Sequence, residues 1–146
     1  MVSGLGDMGM ALTLAAVGSA MGTGVAGMAA IGAWKKAFMQ NKIAAFILIA
    51  FVGAPLSQTI YGFILKNQIR AANLPPESYV YQMIIGALAG VALGFSAYWQ
   101  GKAGAKAADA LTETGKGFGN YIMVIGVIET VALFVMVFTM TALPKG

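Results

Sequence analysis

The stretch Met123-Val-Ile-Gly-Val-Ile-Glu-Thr-Val-Ala-Leu-Phe-Val-Met136 sets a single carboxylate, Glu129, among bulky apolar side chains. Between Lys116 and Lys145 no other charged residue occurs. A run of that length can cross a bilayer, whose hydrocarbon core takes about 20 helical residues. An ionised carboxylate at such depth is costly, so it must carry a proton, pair with a base or bind a cation. No Lys or Arg lies at matching depth in the sequence.

The rest of the chain has the same character. Of its 146 residues 59% are hydrophobic and only 10% charged, against roughly 25% charged in an average soluble domain. Such a chain cannot cover a water-facing surface. With no Cys, disulfides, thiolate metal sites and thiol nucleophiles are excluded, and with no His the commonest general base is missing. Asp7, Glu77, Asp109 and Glu113 fall at span ends or in loops, so no acid pair or nucleophile–base pair can be assembled. The chain is not expected to be catalytic by itself.

Uncharged runs mark four spans, at 8–34, 43–65, 78–101 and 118–144, the last interrupted only by Glu129. Lys35, Lys36 and Lys42 follow the first span, and Lys102, Lys106 and Lys116 follow the third. The opposite side has Lys66, Arg70 and Lys145. This bias predicts a multi-pass protein of the cell membrane, both hairpin turns cytoplasmic and both termini outside. The net charge of +4 thus speaks to orientation, and nucleic acid is not expected as a partner. The N-terminus lacks the positive flank of a signal peptide, so residues 1–34 read as the first helix of the mature chain. A Pro-Pro breaker at 75–76 separates the hairpins on the outer side.

The two hairpins, 1–72 and 73–146, read as copies within a single membrane domain. Ser19-Ala-Met-Gly-Thr-Gly-Val-Ala-Gly-Met-Ala-Ala30 aligns with Ser96-Ala-Tyr-Trp-Gln-Gly-Lys-Ala-Gly-Ala-Lys-Ala107, and Gln58-Thr59 with Glu129-Thr130. The first copy carries an amide where the second carries the acid. Gly18 and Gly22 on span one, and Gly86, Gly90 and Gly94 on span three, form ridges that let helix backbones approach closely in lipid. Spans two and four carry the bulky Phe46, Phe51, Phe63, Phe134 and Phe138. Small helices inside and bulky helices outside predict a homo-oligomeric ring of hairpins. Gly22-Thr-Gly-Val-Ala-Gly27 matches the dinucleotide pattern G-x-G-x-x-G, but no strand precedes it and no acidic partner follows at the required spacing, so it reads as packing.

Neighbours for Glu129 follow from the hairpin. With the turn at 112–115, residue 98 stands opposite 129, and Gln100, within a turn of it, is the polar neighbour expected on span three. On span two Ser57, Gln58 and Tyr61 fall within about 100° of arc on a 3.6-residue helix. Pro55 has no N–H to offer residue 51, which loosens backbone oxygens nearby. A carboxylate, two amide oxygens, a hydroxyl and a backbone carbonyl are hard ligands for alkali or alkaline-earth cations, and a single negative charge favours a monovalent ion.

These residues carry a family resemblance. Pro55-Leu-Ser-Gln-Thr-Ile-Tyr-Gly62, Gln100-Gly-Lys102 and Ile128-Glu-Thr130 resemble the membrane-ring subunit, or proteolipid, of V-type rotary ATPases. The resemblance covers all four spans and implies a transported Na+, with H+ as the alternative. It places the ion on Glu129, Gln58, Gln100, Ser57 and the Ala54 carbonyl, with Tyr61 latching Glu129. Ser57 stands where that family often has Thr. The implied partners are identical subunits in a ring, a stator membrane subunit bearing an arginine, a central-stalk subunit and lipid. A competing expectation is a small four-helix, cation-coupled multidrug-type transporter, whose substrate pocket would line the acid with aromatics. A third is a structural membrane subunit with Glu129 as interhelical glue.

Overall fold

The computed structural model describes residues 5–144, and all the regular structure among them is helical. Four helices, α1 (Met10–Met39), α2 (Phe46–Ala71), α3 (Pro76–Thr114) and α4 (Phe118–Ala142), are each long and apolar enough to cross a membrane. The chain is an all-α, multi-pass membrane protein. Residues 1–4, and Lys145 of the charge count, lie outside the described residues.

The helices overrun the uncharged stretches. α1 begins only at Met10, where the buried Asp7 carboxylate accepts the backbone N–H groups of Gly9 (2.9 Å) and Ala11 (2.7 Å) and so caps the first turn. It then runs through Lys35 and Lys36 to Met39. α3 continues past Gly101 to Thr114, so Lys102 and Lys106 are exposed helical residues rather than loop residues. The reason is local: the segment after Gly101 is rich in Ala, the best helix former, and charge does not stop a helix that can leave the bilayer. The Lys102 ammonium lies 4.8 Å from the centre of the Trp99 ring and 5.4 Å from that of Tyr98, its stem folded back along the helix. The second turn accordingly falls later than 112–115. Gly115 (φ 66°) and Gly117 (φ 91°) adopt the left-handed conformation that ends α3 and starts α4.

α1 and α3 run parallel and form the centre of the molecule. Their small-residue ridges mesh: Gly18 lies on Gly94, Gly22 on Ala97 and Gly101, and Gly90 on Met10 and Ala11. The ridges that predicted contacts within a ring therefore join two helices of the same chain. The Gly22–Gly27 segment is interior to α1, with Gly22 in this seam and open space at Gly24.

α2 lies against α1, and α4 against α3. α2 is broken: it tightens to a 3₁₀ turn over Ala54–Leu56, where Pro55 interrupts the bonding pattern, and resumes as α-helix at Ser57. At the turn end, Leu48, Phe51, Ala107, Ala108, Leu111 and Ile125 form an apolar cluster, with Phe51 5.5 Å from the Phe118 ring. Ala15, Leu93 and Ala132 form another near mid-height, with Tyr61 packed on it. Between these two layers lies an extended polar network.

Candidate ion site

Glu129, half-buried on α4, accepts two hydrogen bonds, one on each carboxylate oxygen. The Tyr61 phenol donates from α2 at 2.6 Å, and the Gln100 side-chain amide donates from α3 at 3.2 Å. Gln100 is wholly buried; its amide nitrogen also lies 3.2 Å from the Ile125 carbonyl, and its oxygen accepts from the Gln58 amide at 2.8 Å. Gln58, equally buried, places the same nitrogen 3.3 Å from the Ser96 hydroxyl, and Ser96 donates to the Ile128 carbonyl at 3.0 Å. The Ser57 hydroxyl stands 3.1 Å from both the Gln58 oxygen and the Ala54 carbonyl, with one proton to give to either.

The six residues singled out from sequence thus lie in one connected network across α2, α3 and α4. Gln100, rather than residue 98, meets Glu129, and Ala54 supplies the carbonyl at the α2 break, where it also accepts the backbone N–H of Ser57. Ser96 was missed. Its signal was its place one helical turn before Gln100, which puts both side chains on one face.

The network explains how polar groups persist here. A buried amide without partners costs several kcal/mol in an apolar medium, whereas a fully bonded network offsets that cost and fixes its members. It does not neutralise the acid. Among the described residues the ion pair is Lys36–Glu113 at the turn end, and Glu129 has no basic partner. A proton or a cation is left. The groups turned to Glu129 are the Tyr61 hydroxyl and the Gln100 amide nitrogen. The same network holds the oxygens of Gln58, Gln100, Ser57 and Ala54, all hard donors of the kind that suit an alkali cation rather than a soft metal.

Residues 83–142 match the family model for the C subunit of ATP synthase. The match spans most of the second hairpin and takes in Ser96, Gln100 and Glu129, while Gln58 and Tyr61 lie in the hairpin before it. It supports the rotary-ATPase reading that the motifs suggested. Comparison with curated proteins gave no match.

Proposed function

We propose that the chain is the ion-carrying subunit of a rotor ring in a V-type rotary ATPase, with Na+ as the transported ion and H+ as its competitor. The observation that carries this is the Tyr61–Glu129–Gln100–Gln58 chain of hydrogen bonds, which surrounds an unpaired carboxylate near the middle of α4. The ATP synthase family match over the second hairpin supports the same reading.

In this mechanism Glu129 is ionised when it holds Na+, and Gln58, Gln100, Ser57 and the Ala54 carbonyl complete the oxygen cage. The Tyr61 hydrogen bond keeps the carboxylate turned inward during the passage through lipid. Release requires that bond to open where a stator arginine can meet the carboxylate. The ring is built from identical copies, with lipid around it and a central stalk docked on it, and both hairpin turns lie on the cytoplasmic side. We further propose that 1–72 and 73–146 are copies of one hairpin. The parallel α1–α3 seam supports this, since Gly18 meets Gly94 close to its counterpart in the alignment. A multidrug-type pocket is the weaker reading: one aromatic, Tyr61, is hydrogen-bonded to Glu129, and the other partner, Gln100, carries the bonding on to Gln58 within the helix bundle.

The test uses a hydrophobic carbodiimide, which reacts with a protonated carboxyl in lipid. Glu129 should be the labelled residue. Na+ should protect it by keeping the carboxylate deprotonated, and protection should weaken as pH falls and protons compete. Glu129→Gln should fold, because its amide can still hydrogen-bond Tyr61, yet transport nothing. Labelling indifferent to Na+ from acid to alkaline pH would remove the sodium site and leave a proton-coupled ring.

A further inference from the structure

Ser19 on α1 is only 2% exposed, and its hydroxyl has no hydrogen-bond partner. Among the described residues only Thr112 shares that condition. An unpartnered hydroxyl inside a membrane protein is costly, because neither lipid nor packed alanines can receive its proton.

Its position is fixed by the packing around it. A Cβ placed on Gly62 would lie 2.8 Å from the Cβ of Ala15, and one on Gly22 would lie 2.9 Å from the Cβ of Pro55. α1 and α2 therefore run antiparallel, with Ala15 facing Gly62 and Gly22 facing Pro55. Four residues on from Ala15 is Ser19, and four residues back from Gly62 is Gln58; from the other pair the steps are three and three. Ser19 thus stands at the level of Gln58. In the parallel seam with α3, Gly18 lies on Gly94 and Gly22 on Ala97, which brings Ser19 to the level of Ser96 as well.

The chemistry at this level is complementary. Gln58 commits its amide nitrogen to Ser96 and Gln100, and its oxygen receives at most the one proton of Ser57. One lone pair of that oxygen stays free, and a carbonyl oxygen holds two acceptor sites. Ser19 offers the missing donor.

We propose that Ser19 is a positioning residue for Gln58: its hydroxyl donates to the Gln58 side-chain oxygen through one buried water. The bond takes one acceptor site of that oxygen and fixes the carboxamide with the other toward the ion, Ser57 then giving its proton to the Ala54 carbonyl instead, so that α1, which supplies no ligand, sets the strength of the cage. Ser96 does this from α3, and Ser19 completes it from the other side.

The inference rests on the sodium reading above, and the experiment separates the two. In intact rings, the Na+ concentration that half-protects Glu129 from carbodiimide is measured for the parent and for Ser19→Ala. It should rise about fivefold in the variant, the weight of one ordinary hydrogen bond. The pH dependence of labelling without Na+ should not move, because protonation of Glu129 does not use the Gln58 oxygen. In a Gln58→Asn ring, whose shorter side chain withdraws that oxygen, adding Ser19→Ala should have no further effect. A half-protecting concentration within twofold of the parent would overturn the proposal, as would an additive effect in the Gln58→Asn ring. A shift in the Na+-free profile, or failure of Ser19→Ala to assemble, would assign Ser19 to packing and overturn it too. Absence of Na+ protection in the parent would instead strike the sodium reading itself.

Discussion

The seam between α1 and α3 can be probed with one chemical change made at three places. Gly24→Ala, Gly90→Ala and Gly101→Ala each add a single methyl group to a helix interior, and each gains about 1 kcal/mol of helix propensity. The surroundings differ. A Cβ at Gly24 meets nothing within 4 Å, so the gain stands. At Gly90 the new carbon would lie 2.9 Å from the Met10 carbonyl oxygen and 3.0 Å from the Ala11 Cα. Both are backbone atoms, which can yield only if α1 shifts as a body. Overpacking of this kind costs about 1–3 kcal/mol, giving a net loss of roughly 0–2 kcal/mol. At Gly101 the methyl would fall onto the backbone of Gly22 itself, so the two helices must part, and the loss should reach about 3 kcal/mol or more. Thermal unfolding of the purified protein in detergent, followed by far-ultraviolet circular dichroism, should rank the melting temperatures Gly24→Ala, parent, Gly90→Ala, Gly101→Ala from high to low. A Gly101→Ala protein melting at or above Gly24→Ala would refute the close approach of α1 and α3.

Further predictions concern the polar network. Gln100→Leu keeps the volume but removes bonds to Glu129, Ile125 and Gln58. Loss of the amide bond to the carboxylate alone is worth about 1.5–3 kcal/mol, so Na+ affinity should fall at least about tenfold while acid labelling of Glu129 persists. Unchanged affinity would sink the cage. Tyr61→Phe deletes the 2.6 Å bond to Glu129. Bound 22Na+ should then exchange about 10- to 100-fold faster, the same 1.5–3 kcal/mol taken off the barrier to opening, and parental exchange rates would show that the phenol is no latch. Lys36→Ala should leave the melting temperature unchanged, because its partner Glu113 and the lysine itself are both exposed, and exposed pairs contribute little. A clear drop would indicate that the pair clamps the ends of α1 and α3.

Four spans and the meeting of Gln58, Gln100, Tyr61 and Glu129 were legible in the sequence, because lipid imposes a simple rule. Charge is excluded from long stretches, so each exception is visible, and polar side chains at helical spacing must find one another. Helix ends were less legible. The uncharged run stops at Lys102, yet the Ala-rich segment beyond it keeps α3 helical to Thr114, since absence of charge reports the bilayer and propensity reports the helix. The role of the glycine ridges could not be read either. Gly18 and Gly94 are equally suited to a neighbour in another chain or in the same one, and only the three-dimensional packing assigns them to the same chain. Ser96 escaped because a serine on the small-residue ridge of Gly94 and Ala97 looks like one more packing residue until its hydroxyl is seen between Gln58 and Ile128.

Tyr61, Gln100 and Gln58, which hold Glu129 and one another, belong to the same chain as the carboxylate they surround. Each of these hydrogen bonds is made within one chain. On the proposed ring reading, a site held in this way within its own chain predicts that loading one copy leaves the donors and oxygens of the next as they were. Binding to the resting assembly should follow a simple hyperbola with a Hill coefficient of about one, whatever the number of copies. Any order in which sites fill and empty must then be imposed from outside the chain, by whatever surface each copy meets in turn.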